Sequence, residues 1–145
     1  MKDSTGFPFD CTRSGLFAAP YSIAETKRDA LAGGLAWFDL DLAGAGTKAA
    51  LLARCQTALG LPVEFGHNWD ALADSLEDLS WRPARGYVVF VSNGADLARQ
   101  GAADFATALE IFSTAAIYWS TRRKLFLVLL DDGSHAGRTL KALGA

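Results

Sequence analysis

Two stretches of this chain, Tyr87–Val91 and Lys124–Leu130, are almost unbroken runs of Val, Leu, Phe and Tyr. A strand with one wet face alternates apolar and polar residues. A strand covered on both faces does not alternate, and that condition belongs to parallel sheets with helices packed on them. Between the two runs, Asp104–Trp119 places Phe105, Ala108, Leu109, Phe112 and Trp119 on one helical face. Strand, amphipathic helix, strand is the pattern of a right-handed crossover joining parallel neighbours.

The rest of the chain extends this pattern. Leu16–Ala18 reads as a short strand ended by Pro20, and Ser22 with Glu25 forms a capping-box pair that opens a helix to Ala32, stopped by Gly33-Gly34. Leu35–Leu42 reads as a strand, followed by a turn at Gly44–Gly46. Thr47 is placed to cap a helix over Lys48–Leu59, with Leu51, Leu52, Cys55 and Leu59 at helical spacing. Gly60 suits the position after that helix and Pro62 forbids its continuation. Asn68 is placed to cap a further helix over Trp69–Leu79, with Trp69, Leu72, Leu76 and Leu79 as its stripe. The expectation is one α/β domain of three layers, with a small, mostly parallel sheet of three or four strands and helices packed against it. Residues 1–14 would be a loose arm, 15–34 an N-terminal extension and 35–130 the core. A chain of 145 residues buries enough surface to fold without a disulfide or metal.

Several chemistries find little support. The two cysteines, Cys11 and Cys55, offer neither a disulfide framework nor metal-ligand spacing. Cys55 falls on an apolar helix face, while Cys11 lies in a polar stretch. Met1–Asp10 has no apolar segment of the secretory kind, and Leu125–Leu130 is too short to span a bilayer, so a cytoplasmic protein is expected. Gly44-Ala45-Gly46-Thr47-Lys48-Ala49 has the spacing of a dinucleotide turn. The acid that should follow about 20 residues later, at the end of a strand, is missing. The histidines, His67 and His135, have no nucleophile or acid at a telling spacing. Asp131-Asp132-Gly133 reads as a turn, and Arg122-Arg123-Lys124 as a solvated helix end too small to argue nucleic-acid binding. Trp37, Trp69 and Trp119 are expected in the core, and Trp81 partly exposed.

Charge is distributed unevenly. Between Cys55 and Trp81 there is no Lys or Arg, but there are five acids: Glu64, Asp70, Asp74, Glu77 and Asp78. That segment carries −5 of a net −2, so the remainder of the chain sums to +3. On a helix, Asp70, Asp74, Glu77 and Asp78 fall within an arc of about 100°, opposite the apolar stripe. Solvated faces usually mix signs, whereas here carboxylates repel at the i,i+4 spacing. An external cation is the natural compensation. Arginine, lysine or histidine of a protein partner fits a ridge better than a metal ion, because metal ligands converge on a point.

The stretch Leu61-Pro62-Val63-Glu64-Phe65-Gly66-His67-Asn68-Trp69-Asp70-Ala71-Leu72-Ala73-Asp74-Ser75-Leu76 resembles the signature of the barstar family, cytoplasmic inhibitors of ribonucleases. The family pattern runs Leu-Pro, an aromatic-Gly pair, Asn, one residue, Asp-Ala-Leu, then an Asp four residues after the first. The resemblance covers roughly Leu35 to Leu130. It implies that Asp74 engages the enzyme's basic catalytic residues in place of a phosphate, with Asp70 one turn earlier as a second contact. Phe65 and Gly66 match the binding loop's aromatic-Gly pair, and Asn68 the asparagine at the helix start. Glu64, His67 and Ala73 stand where the family's best-known member carries tyrosine, glutamate and tryptophan, and Thr114 falls near the position of a further glutamate. With Glu77 added from the ridge, the implied partner-binding set is Glu64, Phe65, Gly66, His67, Asn68, Asp70, Ala73, Asp74 and Glu77.

The resulting expectation is an inhibitor that plugs a ribonuclease or similar basic toxin. It needs no cofactor, metal or catalytic residue and makes no direct contact with nucleic acid or membrane. Two alternatives stand beside it. One is a protein of the same fold directed at a basic partner that is not a ribonuclease. The other is a metal-dependent phosphoesterase using Glu64, Asp70 and Asp74.

Overall fold

The structure, a computed structural model, describes residues 13–62 and 65–142. The expected arm up to Thr12, with Cys11, and the site candidate Glu64 lie outside the described residues. Four strands, β1 (Gly15–Ala18), β2 (Leu35–Asp41), β3 (Gly86–Ser92) and β4 (Leu125–Leu130), form one sheet in the order β1-β4-β3-β2. All three pairings are parallel, with Leu35 beside Gly86, Gly86 beside Leu125 and Gly15 beside Leu127. The helices are α1 (Ile23–Ala32), α2 (Lys48–Leu59), α3 (Trp69–Leu76), α4 (Ala95–Gln100) and α5 (Ala102–Ser120).

The route of the chain explains the layers. From β1 it crosses the whole sheet to β2, then returns stepwise through β3 to β4. Right-handed crossovers made in opposite directions leave their helices on opposite faces. Side chains on the strands divide accordingly. Phe38, Leu40, Val89, Val91, Phe126, Val128 and Leu130 pack with the helices after β2. Leu35, Val88, Leu125, Leu127 and Leu129 pack with Ala30 of α1 on the other side. Burial on both faces is why β3 and β4 read as continuous apolar runs.

The segment expected as an extension supplies an edge strand, β1, and the helix of the second face, α1. Beyond β4 the chain returns to β1, where the Ala18 N–H donates to the Lys141 carbonyl at 2.8 Å. Three local expectations are corrected. Ser22 makes no side-chain cap; instead Thr26 Oγ1 donates to the Ser22 carbonyl at 3.1 Å, occupying the acceptor end of that turn. The helix after Asn68 ends at Leu76 rather than Leu79, because Leu79 turns to a φ of 51°. The short helix α4 was not anticipated, its six residues being too few for a periodic signal.

Thr47 caps α2 as expected, its side chain accepting from the Ala50 N–H at 3.1 Å, and Gly60 closes the helix in the left-handed region. Gly44 turns with a φ of 77°, in the left-handed region that favours glycine, so the Gly44–Gly46 turn is accounted for by backbone geometry. Cys55 is fully buried, and that burial pushes its thiol up to about 12, far from a reactive thiolate. Among the described residues, no helix is long and apolar enough to cross a membrane.

Candidate functional site

The loop before α3 is tied down from α2. The Gln56 carbonyl accepts the Leu61 N–H at 3.0 Å, and Gln56 Nε2 donates to the Pro62 carbonyl at 3.1 Å. Gln56 Oε1 lies 2.6 Å from His67 Nε2. Because the Gln56 amide nitrogen is already donating, its oxygen accepts, and the network assigns the proton to His67 Nε2. The His67 ring meets Phe65 edge-on at 5.1 Å between centroids. Phe65 itself is buried in the core, whereas Gly66, His67 and Asn68 are exposed. Sequence reasoning missed Gln56. A glutamine on the polar side of a helix carries no signal that it reaches a loop eleven residues away.

Asn68 then starts α3. Its Oδ1 accepts the Ala71 N–H at 2.8 Å, satisfying one of the donors every helix leaves open at its N-terminus. Its Nδ2 donates to the Gly66 carbonyl at 3.3 Å, so one side chain fixes both the loop and the first turn. Asn68→Ala is expected to lower stability by about 1 kcal/mol. Thermal or urea unfolding checks this, with Asn68→Asp, which keeps the acceptor, recovering most of the loss.

The inner side of α3 is anchored by Leu72 and Leu76, both 0% exposed. Trp119 Nε1 donates to the Leu76 carbonyl at 2.7 Å, holding the last turn against α5. Just beyond, Trp81 Nε1 donates to the Leu59 carbonyl at 3.2 Å, closing the segment back onto α2. The tryptophans expected in the core are half-buried, each with a polar edge in use or a cation on its face. Trp37 donates to Asp39 at 2.9 Å, and the Lys48 ammonium lies 5.1 Å from the Trp69 ring centroid.

The outer side carries Asp70 and Asp74, both exposed. The three ion pairs among the described residues, Lys27–Asp39, Arg99–Asp96 and Arg138–Glu110, involve neither of them. Ala73 sits between them, half-buried. Because α3 ends early, Glu77 is its C-cap and Asp78 lies in the following turn, accepting from the Ser80 hydroxyl at 3.2 Å. The four-acid arc reduces to two carboxylates on the helix and two beyond its end. Among the described residues, no three His, Cys, Asp or Glu side chains are grouped so as to hold a metal ion.

A loop pinned through Gln56, a capped helix seated on leucines and two outward aspartates now stand together. The profile of one protein family, Barstar (barnase inhibitor), matches residues 35–131. The chain belongs to the barstar family. No curated protein matches it. The match begins at the first residue of β2 and ends just after β4, so the barstar part comprises β2 to β4 with α2 to α5. In this barstar-family protein, β1 and α1 precede the matched part yet share its sheet and core.

Proposed function

We propose that this protein inhibits a ribonuclease by seating α3 and the loop before it in the enzyme's active site. The observation that carries the reading is that Asp70 and Asp74 stand exposed, with no ion pair among the described residues, on a helix whose opposite side is fully buried. Rigid carboxylates of this kind accept charge-assisted hydrogen bonds from the arginines, lysines and histidines that otherwise hold phosphate. Asp74 lies centrally, Asp70 one turn earlier, and Gly66, His67 and Asn68 offer the loop's edge. Glu77 extends the surface past the helix end, and Ala73 leaves room where a larger side chain would fill the contact. Glu64 is proposed as a loop contact on the family pattern alone. The partner is a basic ribonuclease, and inhibition is occlusion, with no chemistry asked of the inhibitor.

The test is titration of a barnase-type ribonuclease with the purified protein, at several salt concentrations. Stoichiometric loss of RNA cleavage is expected. The association rate should fall about tenfold or more between roughly 0.01 M and 1 M salt, as the screening length shrinks from about 30 Å to about 3 Å. Dissociation should change far less. Association that ignores salt would remove the electrostatic basis of the reading.

A further inference from the structure

Along the chain, Arg122-Arg123-Lys124 is a run of only three cations. The fold enlarges it. These residues immediately precede β4, and Arg82 and Arg85 immediately precede its parallel neighbour β3, with Gly86 paired to Leu125. The amino ends of the two central strands therefore bring five cations to one edge of the sheet. Arg82, Arg85, Arg122 and Arg123 are exposed and Lys124 is half-buried. None of the five takes part in an ion pair among the described residues. The nearby carboxylate Asp78 is engaged by Ser80.

Aromatic rings hold this cluster. The Arg122 guanidinium carbon lies 3.6 Å from the Tyr118 ring centroid, and Arg122 Nη1 donates to the Tyr118 carbonyl at 3.0 Å. The Lys124 ammonium is 5.6 Å from the Tyr87 centroid and 5.5 Å from that of Trp119. The Tyr87 hydroxyl donates to the Arg82 carbonyl at 3.1 Å, tying the segment before β3 back onto that strand. Beside the cluster, a cavity of about 260 Å³ opens between the start of β1 and the last turns of α5. Ser14, Ser113 and Thr121, the residue before Arg122, line it, with the Ser14 hydroxyl accepting the Phe126 N–H at 3.0 Å and the Thr121 hydroxyl donating to the Tyr118 carbonyl at 2.7 Å.

We propose that this edge is a second binding surface, separate from α3, and that it takes single-stranded nucleic acid. Neighbouring strands are about 4.8 Å apart, so cations at their starts form a row that follows a phosphate backbone. An acidic protein would satisfy the charge alone. The Arg122–Tyr118 stack favours nucleic acid, because guanidinium planes and aromatic faces are what unpaired bases stack on. The flanking cavity, smaller than a drug-sized pocket and lined by Ser14, Ser113 and Thr121, has room for one splayed base. Nothing in this proposal depends on the inhibitor reading, since it rests on other residues and the opposite charge.

The test is fluorescence anisotropy of a labelled single strand of about a dozen nucleotides, with the free protein and no ribonuclease present. Binding is expected to weaken as salt rises. Arg122→Gln with Arg123→Gln, and separately Arg82→Gln with Arg85→Gln, should each weaken binding at least about tenfold at low salt. Each pair should also flatten the slope of log affinity against log salt by about 1.4, the value for two lost phosphate contacts on a single strand. Asp74→Ala should bind as well as the parent. Circular dichroism confirms the fold of each variant, and the two independent pairs guard against failure of either one. No binding by the parent, or binding that both pairs leave unchanged, overturns the proposal. Displacement of the strand by polyglutamate as readily as by unlabelled strand would reassign the surface to an acidic protein and overturn it too.

Discussion

Asp74→Ala is expected to weaken inhibition of the target ribonuclease by about a hundredfold to several thousandfold while leaving the thermal midpoint unchanged. The magnitude follows from what the complex would bury. In the free protein Asp74 is exposed and has no ion pair among the described residues. Its removal therefore breaks no ion pair among the described residues, and exposed substitutions of this kind stay within about 0.5 kcal/mol. In the complex the carboxylate would face cations that have surrendered their water. Removing one partner of a buried pair strands the other charge, at about 3–5 kcal/mol, and each 1.4 kcal/mol is tenfold in affinity.

Asp74→Asn separates charge from shape. Asparagine keeps the size and one acceptor oxygen but not the ionised pair, so it should recover only a small part of the loss. Asp70→Ala should act in the same direction and less strongly, since the family pattern gives it the second contact. The Asp74 effect should lie mainly in faster dissociation, because the pair is made after docking. An Asp74→Ala protein that inhibits as well as its parent would remove α3 from the interface.

The sequence revealed the sheet better than it revealed the site. β3 and β4 could be read directly, because parallel strands covered on both faces leave no polar position to obscure the signal. The caps at Thr47 and Asn68 and the stop at Gly60 were legible for a similar reason, each being a local match of side-chain chemistry to open backbone groups. The early end of α3 was not legible. Leu76 and Leu79 both keep the apolar spacing, and only the tertiary closure through Trp81 and Trp119 shows that the chain turns between them. The loop anchor at Gln56 and the five-cation edge were hidden because each joins residues far apart in the chain. Periodicity and short motifs report neighbours within a few positions, and the fold supplies the rest.

The second large effect belongs to the buried side of α3. Leu72→Ala is expected to lower stability by about 2–5 kcal/mol, a substantial share of the roughly 5–15 kcal/mol that holds a domain together. Leu72 is fully buried in the core shared by the sheet, α2, α3 and α5, and truncation leaves a cavity its neighbours fill only in part. For a chain near 150 residues, about 3 kcal/mol corresponds to a midpoint lowered by roughly 6–12 °C. The contrast with Asp74 gives the comparison its force. Both residues lie on the same two turns of α3, yet one should change binding without stability and the other stability with little change in binding per folded molecule. Differential scanning calorimetry and inhibition titrations well below both midpoints separate the two. A Leu72→Ala protein with an unchanged midpoint would mean that α3 is not seated by its leucines. The outward aspartates would then lack the rigid backing that makes them complementary to a basic site.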